Sequence, residues 1–181
     1  MRVIGGKYRH RLLIYPDDAT HTRPTKDRVR EAVFSAIGDV TSLNVLDLYA
    51  GSGAMGIEAL SRGAKHATFV DISLNAIKVI KENIKSLKIP EEDYEIFKQR
   101  DLVALEYFKN NNYKFDLVIL DPPYEQGQYE TIVELLISNY LLNENAIIIL
   151  ESNRQIVLEN IAYQKNKEYH YGETMVFIYW R

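Results

Sequence analysis

From residue 44 onward, short apolar runs alternate with longer amphipathic stretches, and that alternation leaves few folds open. Strand-like runs lie at 44–49, 67–71, 94–98, 115–120 and 146–150, with helix-like segments between them at about 54–62, 74–87, 102–110 and 127–139. A strand–helix–strand unit takes a right-handed crossover, so the strands lie parallel and the helices cover both faces of one sheet. Ala146 to Leu150 is apolar without alternation, the pattern of a strand buried on both sides. A helix-like stretch at 153–160 precedes two more strands near 161–169 and 174–180. The short link Tyr171-Gly172-Glu173 between them forces an antiparallel pair. The expected fold is α/β, a doubly wound and mostly parallel sheet that ends in an antiparallel hairpin.

The leading residues follow a different pattern. Residues 2–14 read as a small β-hairpin turning at Gly5-Gly6, and 15–24 as a loop holding Pro16 and Pro24. Thr25 is the expected N-cap of a helix that runs to about Ile37 and stops at Gly38. The chain of 181 residues suits one domain at 25–181 with a small extension at 1–24.

The first buried strand leads into Asp47-Leu48-Tyr49-Ala50-Gly51-Ser52-Gly53-Ala54-Met55-Gly56. Gly51, Gly53 and Gly56 match G-x-G-x-x-G between a strand and a helix, the context in which the pattern signals a nucleoside cofactor. Asp71 closes the second strand, twenty positions after Gly51, where a carboxylate can accept hydrogen bonds from both hydroxyls of a ribose. Asp101 closes the third strand, within reach of an adenine amine. Tyr49, beside the loop, either packs or touches the cofactor. A nicotinamide dinucleotide would bring a pyrophosphate, which Asp47 would repel. A nucleoside triphosphate would require G-K-[ST], which is missing. S-adenosylmethionine carries an ammonium, a sulfonium, a ribose and an adenine without phosphate, and the placement of acids favours it.

The fourth strand runs directly into Asp121-Pro122-Pro123-Tyr124. Two prolines end the ladder and stiffen the turn. Asp121 and the Pro122 carbonyl can accept hydrogen bonds from an exocyclic amine, turning its lone pair toward an electrophilic methyl, and Tyr124 can stack on a flipped base. Such a displacement needs alignment more than acid–base help, and no metal. The chain has no cysteine, which excludes disulfides and the covalent cysteine adduct used for pyrimidine C5 methylation. An amine nitrogen remains the natural acceptor, in RNA or in DNA. A nicotinamide-dependent oxidoreductase and a catalytically idle RNA-binding protein are the competing classes.

Charge is uneven. Residues 1–31 carry eight Lys or Arg against four acids, a local balance of +4, while the whole chain is −3 and the remainder therefore −7. A basic leading segment on an acidic body points to an anionic partner such as nucleic acid. No apolar run approaches the roughly 20 residues that span a bilayer, and the N-terminus has no apolar leader, so a cytoplasmic protein without a membrane partner is expected.

The sequence resembles the small-subunit ribosomal RNA guanine-N2 methyltransferase D family. The resemblance is carried by R-V-I-G-G-K-Y-R-H-R-L-L at 2–13, R-P-T-K-D-R-V-R-E at 23–31, D-L-Y-A-G-S-G-A-M-G-I-E-A-L-S-R-G-A at 47–64, D-P-P-Y at 121–124 and Y-G-E-T at 171–174. His10 stands where the family usually has glycine, and Asp71 where glutamate is frequent. The resemblance implies a Rossmann-like class I methyltransferase fold, S-adenosyl-L-methionine as cofactor, and a guanine of 16S rRNA, free or in a small-subunit assembly particle, as target; a monomer is expected. It assigns the cofactor to Asp47, Ala50, Gly51, Ser52, Gly53, Gly56, Asp71, Ile72, Asp101 and Leu102. Asp121, Pro122, Pro123 and Tyr124 fall to the target base. Arg2, Lys7, Arg9, Arg11, Arg23, Thr25, Arg28 and Arg30 fall to the RNA, with the basic side chains expected on the hairpin side of the cofactor cleft.

Overall fold

The computed structural model of the chain describes residues 1–16, 23–122, 128–158 and 161–181, and for 23–26 the backbone alone. Along them run α1 (Arg23–Ile37), β1 (Asn44–Asp47), α2 (Ala54–Ser61), β2 (His66–Asp71), α3 (Leu74–Leu87), β3 (Tyr94–Lys98), α4 (Asp101–Asn110), β4 (Phe115–Leu120), α5 (Tyr129–Ser138), β5 (Leu142–Ser152), β6 (Lys165–Tyr171) and β7 (Thr174–Trp180). The strands form one sheet in the order β3-β2-β1-β4-β5-β7-β6. β1 lies parallel to β2 and β4, β2 to β3, and β4 to β5, while β7 runs antiparallel to both β5 and β6. The fold is the expected doubly wound α/β sheet with an antiparallel end. Its strand order reverses between β1 and β4, which opens a crevice at the carboxyl ends of those two strands.

Side chains alternate across each strand, so one strand feeds two cores. Val45, Ala67 and Phe69 face α1, α2 and α3 through Val33, Phe34, Ile57, Ile80 and Ile84. Leu46, Val70, Val118 and Ile148 face α4 and α5 through Leu105, Phe108, Val133 and Leu136. Burying an aromatic ring such as Phe34 or Phe108 stabilises the fold by roughly 1.5–3 kcal/mol. Local signals agree with this packing. The Ser73 hydroxyl accepts from the Ala76 amide at the start of α3, and Ile77, Ile80, Ile84 and Leu87 recur along its buried side.

Several boundaries differ from the sequence reading; β1 stops at Asp47 and β6 starts at Lys165, four residues late. α1 begins at Arg23, because Pro24 is tolerated in a first turn whose N–H groups lack intrahelical acceptors; Thr25 therefore lies inside the helix instead of capping it. Asp101 opens α4 instead of closing β3, an acid at the positive end of a helix. Residues 153–158 form no helix: Ile156 and Leu158 are buried two apart, a spacing no helical face provides. β5 starts at Leu142, four residues early, where Asn143, Glu144 and Asn145 hide the strand behind polar side chains.

The N-terminal segment is a loop closed by a single antiparallel bridge, Arg2 to Leu12, instead of two paired strands. Its turn lies just beyond Gly5 and Gly6, opening at the Gly6 carbonyl, which accepts the Arg9 amide at 3.2 Å. Both glycines press against the end of α2, where a Cβ on Gly6 would fall 1.7 Å from the Ser61 carbonyl oxygen. That oxygen accepts a hydrogen bond from the Lys7 amide at 2.6 Å. The chain reverses at His10, whose φ of 68° is the left-handed conformation that glycine adopts without strain. Val3, Tyr8 and Leu13 are buried in the same core as α1, α2 and α3. Among the described residues, no helix is long and apolar enough to cross a membrane.

Candidate active site

The glycine loop leaves β1 and is pinned to its neighbours by backbone bonds: Leu48 donates to the Ile119 carbonyl and Ala50 to the Val70 carbonyl. Its glycines differ in purpose. A Cβ on Gly56 would meet the Phe69 ring at 2.4 Å, so this position lets α2 lie against β2. Gly51, at φ 55°, has nothing within 4 Å of where a Cβ would be, and this is the open side on which a ligand can approach the backbone.

Asp47 ends β1 under the first turn of α2. It is 3% exposed, and its Oδ2 accepts the Gly56 amide at 3.0 Å. Burial pushes its carboxyl up to about 7; the Gly56 hydrogen bond opposes that, and the charges of Asp121 and Asp71 add to it. At neutral pH the group is poised to release its proton to solvent when a cation arrives beside it. The shift has a cost for the fold. Between the ordinary carboxylate range and pH 7 the folded chain holds a proton that the unfolded chain has released, so stability falls as pH rises through that window. Asp47→Asn is expected to remove this slope and to be more stable than the parent at pH 8 by an amount of order 3 kcal/mol. Urea unfolding at pH 5 and pH 8 checks this; equal slopes for parent and variant contradict it.

Asp71 ends β2. Its Oδ2 accepts the Gly51 amide and its Oδ1 the Ser73 amide, both at 2.8 Å. Each oxygen keeps a lone pair for a further donor. Asp101 accepts the Leu102 amide on Oδ1 and the Tyr49 hydroxyl on Oδ2, at 2.8 and 2.7 Å. Tyr49 therefore braces the acid across the cleft, and burial together with that carboxylate holds its phenol well above the usual range. Ile72 and Leu102 follow these two acids and are exposed apolar side chains beside polar ones. That arrangement suits a flat heterocycle with a sugar attached.

Asp121 follows β4 across the crevice and lines one cavity of about 160 Å³ together with Asp47, Gly51 and Ser52. Pro122 is buried; Pro123 and Tyr124 lie outside the described residues. Tyr15, Arg30 and Glu151 also line the cavity. Burial pushes the Tyr15 phenol up to about 12, with Arg30 lowering it and Asp27, Glu151 and Asp121 raising it.

The basic residues do not gather at this cavity. Arg30 alone of them reaches its wall among the described residues, and it is 3% exposed, paired with Asp27 and with Glu58. Arg2, Lys7, Arg9, Arg11 and Arg28 are exposed. Lys7 sits at the end of α2 farthest from the glycine loop, and Arg11 reaches the Ser86 carbonyl in the last turn of α3. Arg23 and Thr25 are placed by backbone alone in the first turn of α1.

Sequence reasoning missed the residues that hold the cavity together. Asn83 on α3 donates to the Ser52 and Ile14 carbonyls and accepts the Ile14 amide, tying the glycine loop to the N-terminal segment. Glu58, fully buried in α2, accepts the Ile4 and Gly5 amides and the guanidinium groups of Arg30 and Arg62. An acid inside the otherwise apolar run Ala54–Leu60 was the available signal, since a buried charge requires partners. Glu151 carried the same signal as Asp71: an acid at the carboxyl end of an apolar strand.

The family model described as Conserved hypothetical protein 95 matches residues 1–180. The chain is 36% identical to the Ribosomal RNA small subunit methyltransferase D of Haemophilus influenzae, over 92% of this chain and 88% of that protein. It is 35% identical to the protein of the same name from Escherichia coli K12, over 84% and 74%. The solved structure of yhhF from Escherichia coli superposes with a TM-score of 0.83 at 31% identity, covering 100% of this chain and 97% of that one. A Thermus thermophilus 16S rRNA N2 methyltransferase, solved with AdoMet and guanosine, shares the fold at a TM-score of 0.69 and 19% identity, covering 91% of this chain and 45% of that one. With a family match along nearly its whole length and a crevice whose acids and glycines stand where that fold binds its ligands, the chain belongs to the ribosomal RNA small subunit methyltransferase D family.

Proposed function

We propose that this chain methylates the exocyclic N2 amine of one guanine in small-subunit ribosomal RNA, with S-adenosyl-L-methionine as donor. The observation that supports the reading is the cavity lined by both Asp121 and the glycine loop. The names of the family relatives supply the RNA.

When bound, the cofactor supplies an electrophilic methyl on a sulfonium. Asp47 meets its ammonium, and Ala50, Gly51, Ser52, Gly53 and Gly56 bring backbone close to it. Asp71 accepts from the ribose hydroxyls through the lone pairs left by Gly51 and Ser73. Ile72 and Leu102 offer apolar contact to the adenine, and Asp101, held by Tyr49, faces its amine. Asp121 and the Pro122 carbonyl accept the N2 hydrogens and so direct the nitrogen lone pair; Pro123 stiffens the turn and Tyr124 stacks on the base. Arg2, Lys7, Arg9, Arg11, Arg23, Thr25 and Arg28 hold RNA phosphates over a surface wider than the cleft, and affinity weakens with salt. Arg30 serves from within, fixing the cavity wall. The substrate is free RNA or a small-subunit assembly particle, met by a monomer in the cytoplasm.

Mass spectrometry of ribosomal RNA from cells lacking this chain is expected to find one N2-methylguanine missing, restored when the chain is supplied. An unchanged set of methylguanines overturns the proposal.

A further inference from the structure

The carboxyl ends of β4 and β5 stand side by side at the crevice. Their register pairs Ile119 with Ile149 and Leu120 with Leu150, so the next positions along the two strands are Asp121 and Glu151. Parallel neighbours lie about 4.8 Å apart, and residues in register point to the same face. Both acids line the same cavity, which also holds Gly51 and Ser52 of the glycine loop. The position of Glu151 is fixed from two further sides: its carbonyl accepts the Tyr129 hydroxyl at 2.7 Å, and its backbone pairs with Val176 of β7. Asp121 belongs to the amine; Glu151 has no part in the roles set out above.

Guanine presents two adjacent donors on one edge, the N1–H and the N2 amine. Adenine presents N1 as a bare acceptor beside its N6 amine, and cytosine presents N3 likewise beside N4. An ionised carboxylate only accepts. Set next to the group that takes the amine, it favours the base whose neighbouring ring nitrogen carries hydrogen, and it repels the lone pair of the others.

We propose that Glu151 is a specificity-determining residue that accepts the N1–H of the target guanine while Asp121 holds its N2 amine. The inference rests on the methyltransferase reading of the cavity and adds to it the base that the cavity selects. Glu151 moves no proton and breaks no bond. It sets which purine edge fits, and with N1 held the N2 nitrogen is fixed in line with the donor. Tyr15, which shares this cavity wall, registers the charges of both Glu151 and Asp121.

The test uses RNA carrying 2-aminopurine at the target position, a base that keeps the N2 amine but has a bare N1. The full-length chain is assayed for transfer of labelled methyl to the guanine and 2-aminopurine substrates, and kcat/KM is measured for each. The parent chain is expected to prefer guanine by roughly 10- to 100-fold, the discrimination typical of one well-placed polar contact to a base edge. In Glu151→Gln the side-chain amide can donate to a bare N1, so the preference is expected to shrink to near unity or invert. A residue that only supported the fold would lower both rates together and leave their ratio unchanged. An unchanged ratio in the variant, or a parent that accepts both bases equally, overturns the inference; the second readout stands even if the variant does not fold. Transfer to guanine by the parent with an unchanged variant ratio overturns the role of Glu151 alone. No transfer by the parent to any guanine-bearing RNA overturns the function, and this inference with it.

Discussion

Asp121→Ala is expected to slow methyl transfer about a thousandfold while the cofactor still binds. Removing one oriented hydrogen-bonding group from a reacting centre typically costs two to three orders of magnitude, about 10²–10³. Here the expected loss includes alignment as well, since the proposed role of the carboxylate is to set the direction of the nitrogen lone pair. The cofactor is expected to lose little, because the contacts proposed for it come from the glycine loop, Asp71 and Asp101, and the bonds that hold those acids do not involve Asp121. Asp121 is also one of the charges that raise the Asp47 carboxyl, so its removal moves Asp47 toward the ionised form. Single-turnover transfer of labelled methyl reports the first effect, and calorimetric titration with S-adenosylmethionine the second. Asp121→Asn keeps a carbonyl acceptor and is expected to fall between the alanine variant and the parent. A matching loss of cofactor affinity in the alanine variant makes Asp121 a cofactor residue and removes it from the target-base set.

The parts of this molecule that were legible in its sequence are those written in local, repetitive signals. β3, β4, β7 and α3 fall where the apolar pattern puts them: β4 and β7 are short apolar runs buried on both faces, and α3 buries one face at helical spacing. The glycine loop and Asp71 were legible because a tight turn, a bare backbone and an acid at a strand end are all local demands. What the sequence concealed depends on distant partners. Gly5 and Gly6 look like a hairpin turn, and only the approach of α2 shows that they are a docking surface. Arg30 looks like one more basic residue of an RNA-binding arm, and its partners Asp27, Glu58 and the Arg2 carbonyl lie on three different segments. The net charge of the leading segment was legible, but its orientation was not. The tip of the N-terminal loop sits at the far end of α2, so its exposed cations stand away from the cleft.

Glu58 shows how far function here depends on a residue that touches no ligand. The carboxylate is fully buried and takes four donors: the Ile4 amide and Arg30 on one oxygen, the Gly5 amide and Arg62 on the other. Two of those donors fix the N-terminal segment, which continues to Tyr15 and Pro16 in the cavity wall, and a third is the Arg30 that shares that wall. Glu58→Gln replaces one acceptor oxygen by a donor, so one amide and one guanidinium face an N–H group; Arg62 loses its counter-charge and Arg30 keeps only Asp27. Breaking a buried ion pair from one side typically costs about 3–5 kcal/mol, and a similar loss is expected here by urea unfolding. The damage should be ordered in space. Hydrogen exchange is expected to quicken first at Ile4, Gly5 and Ile14, while amides of β1, β4 and β5 keep their protection in the folded state. Transfer activity should then fall with the cofactor still bound by the glycine loop, because the opposite wall of the cavity has loosened. A variant that loses less than about 1 kcal/mol, within the range of an ordinary exposed ion pair, would mean that the N-terminal segment is held by Val3, Tyr8 and Leu13 alone and that the buried charge network is dispensable.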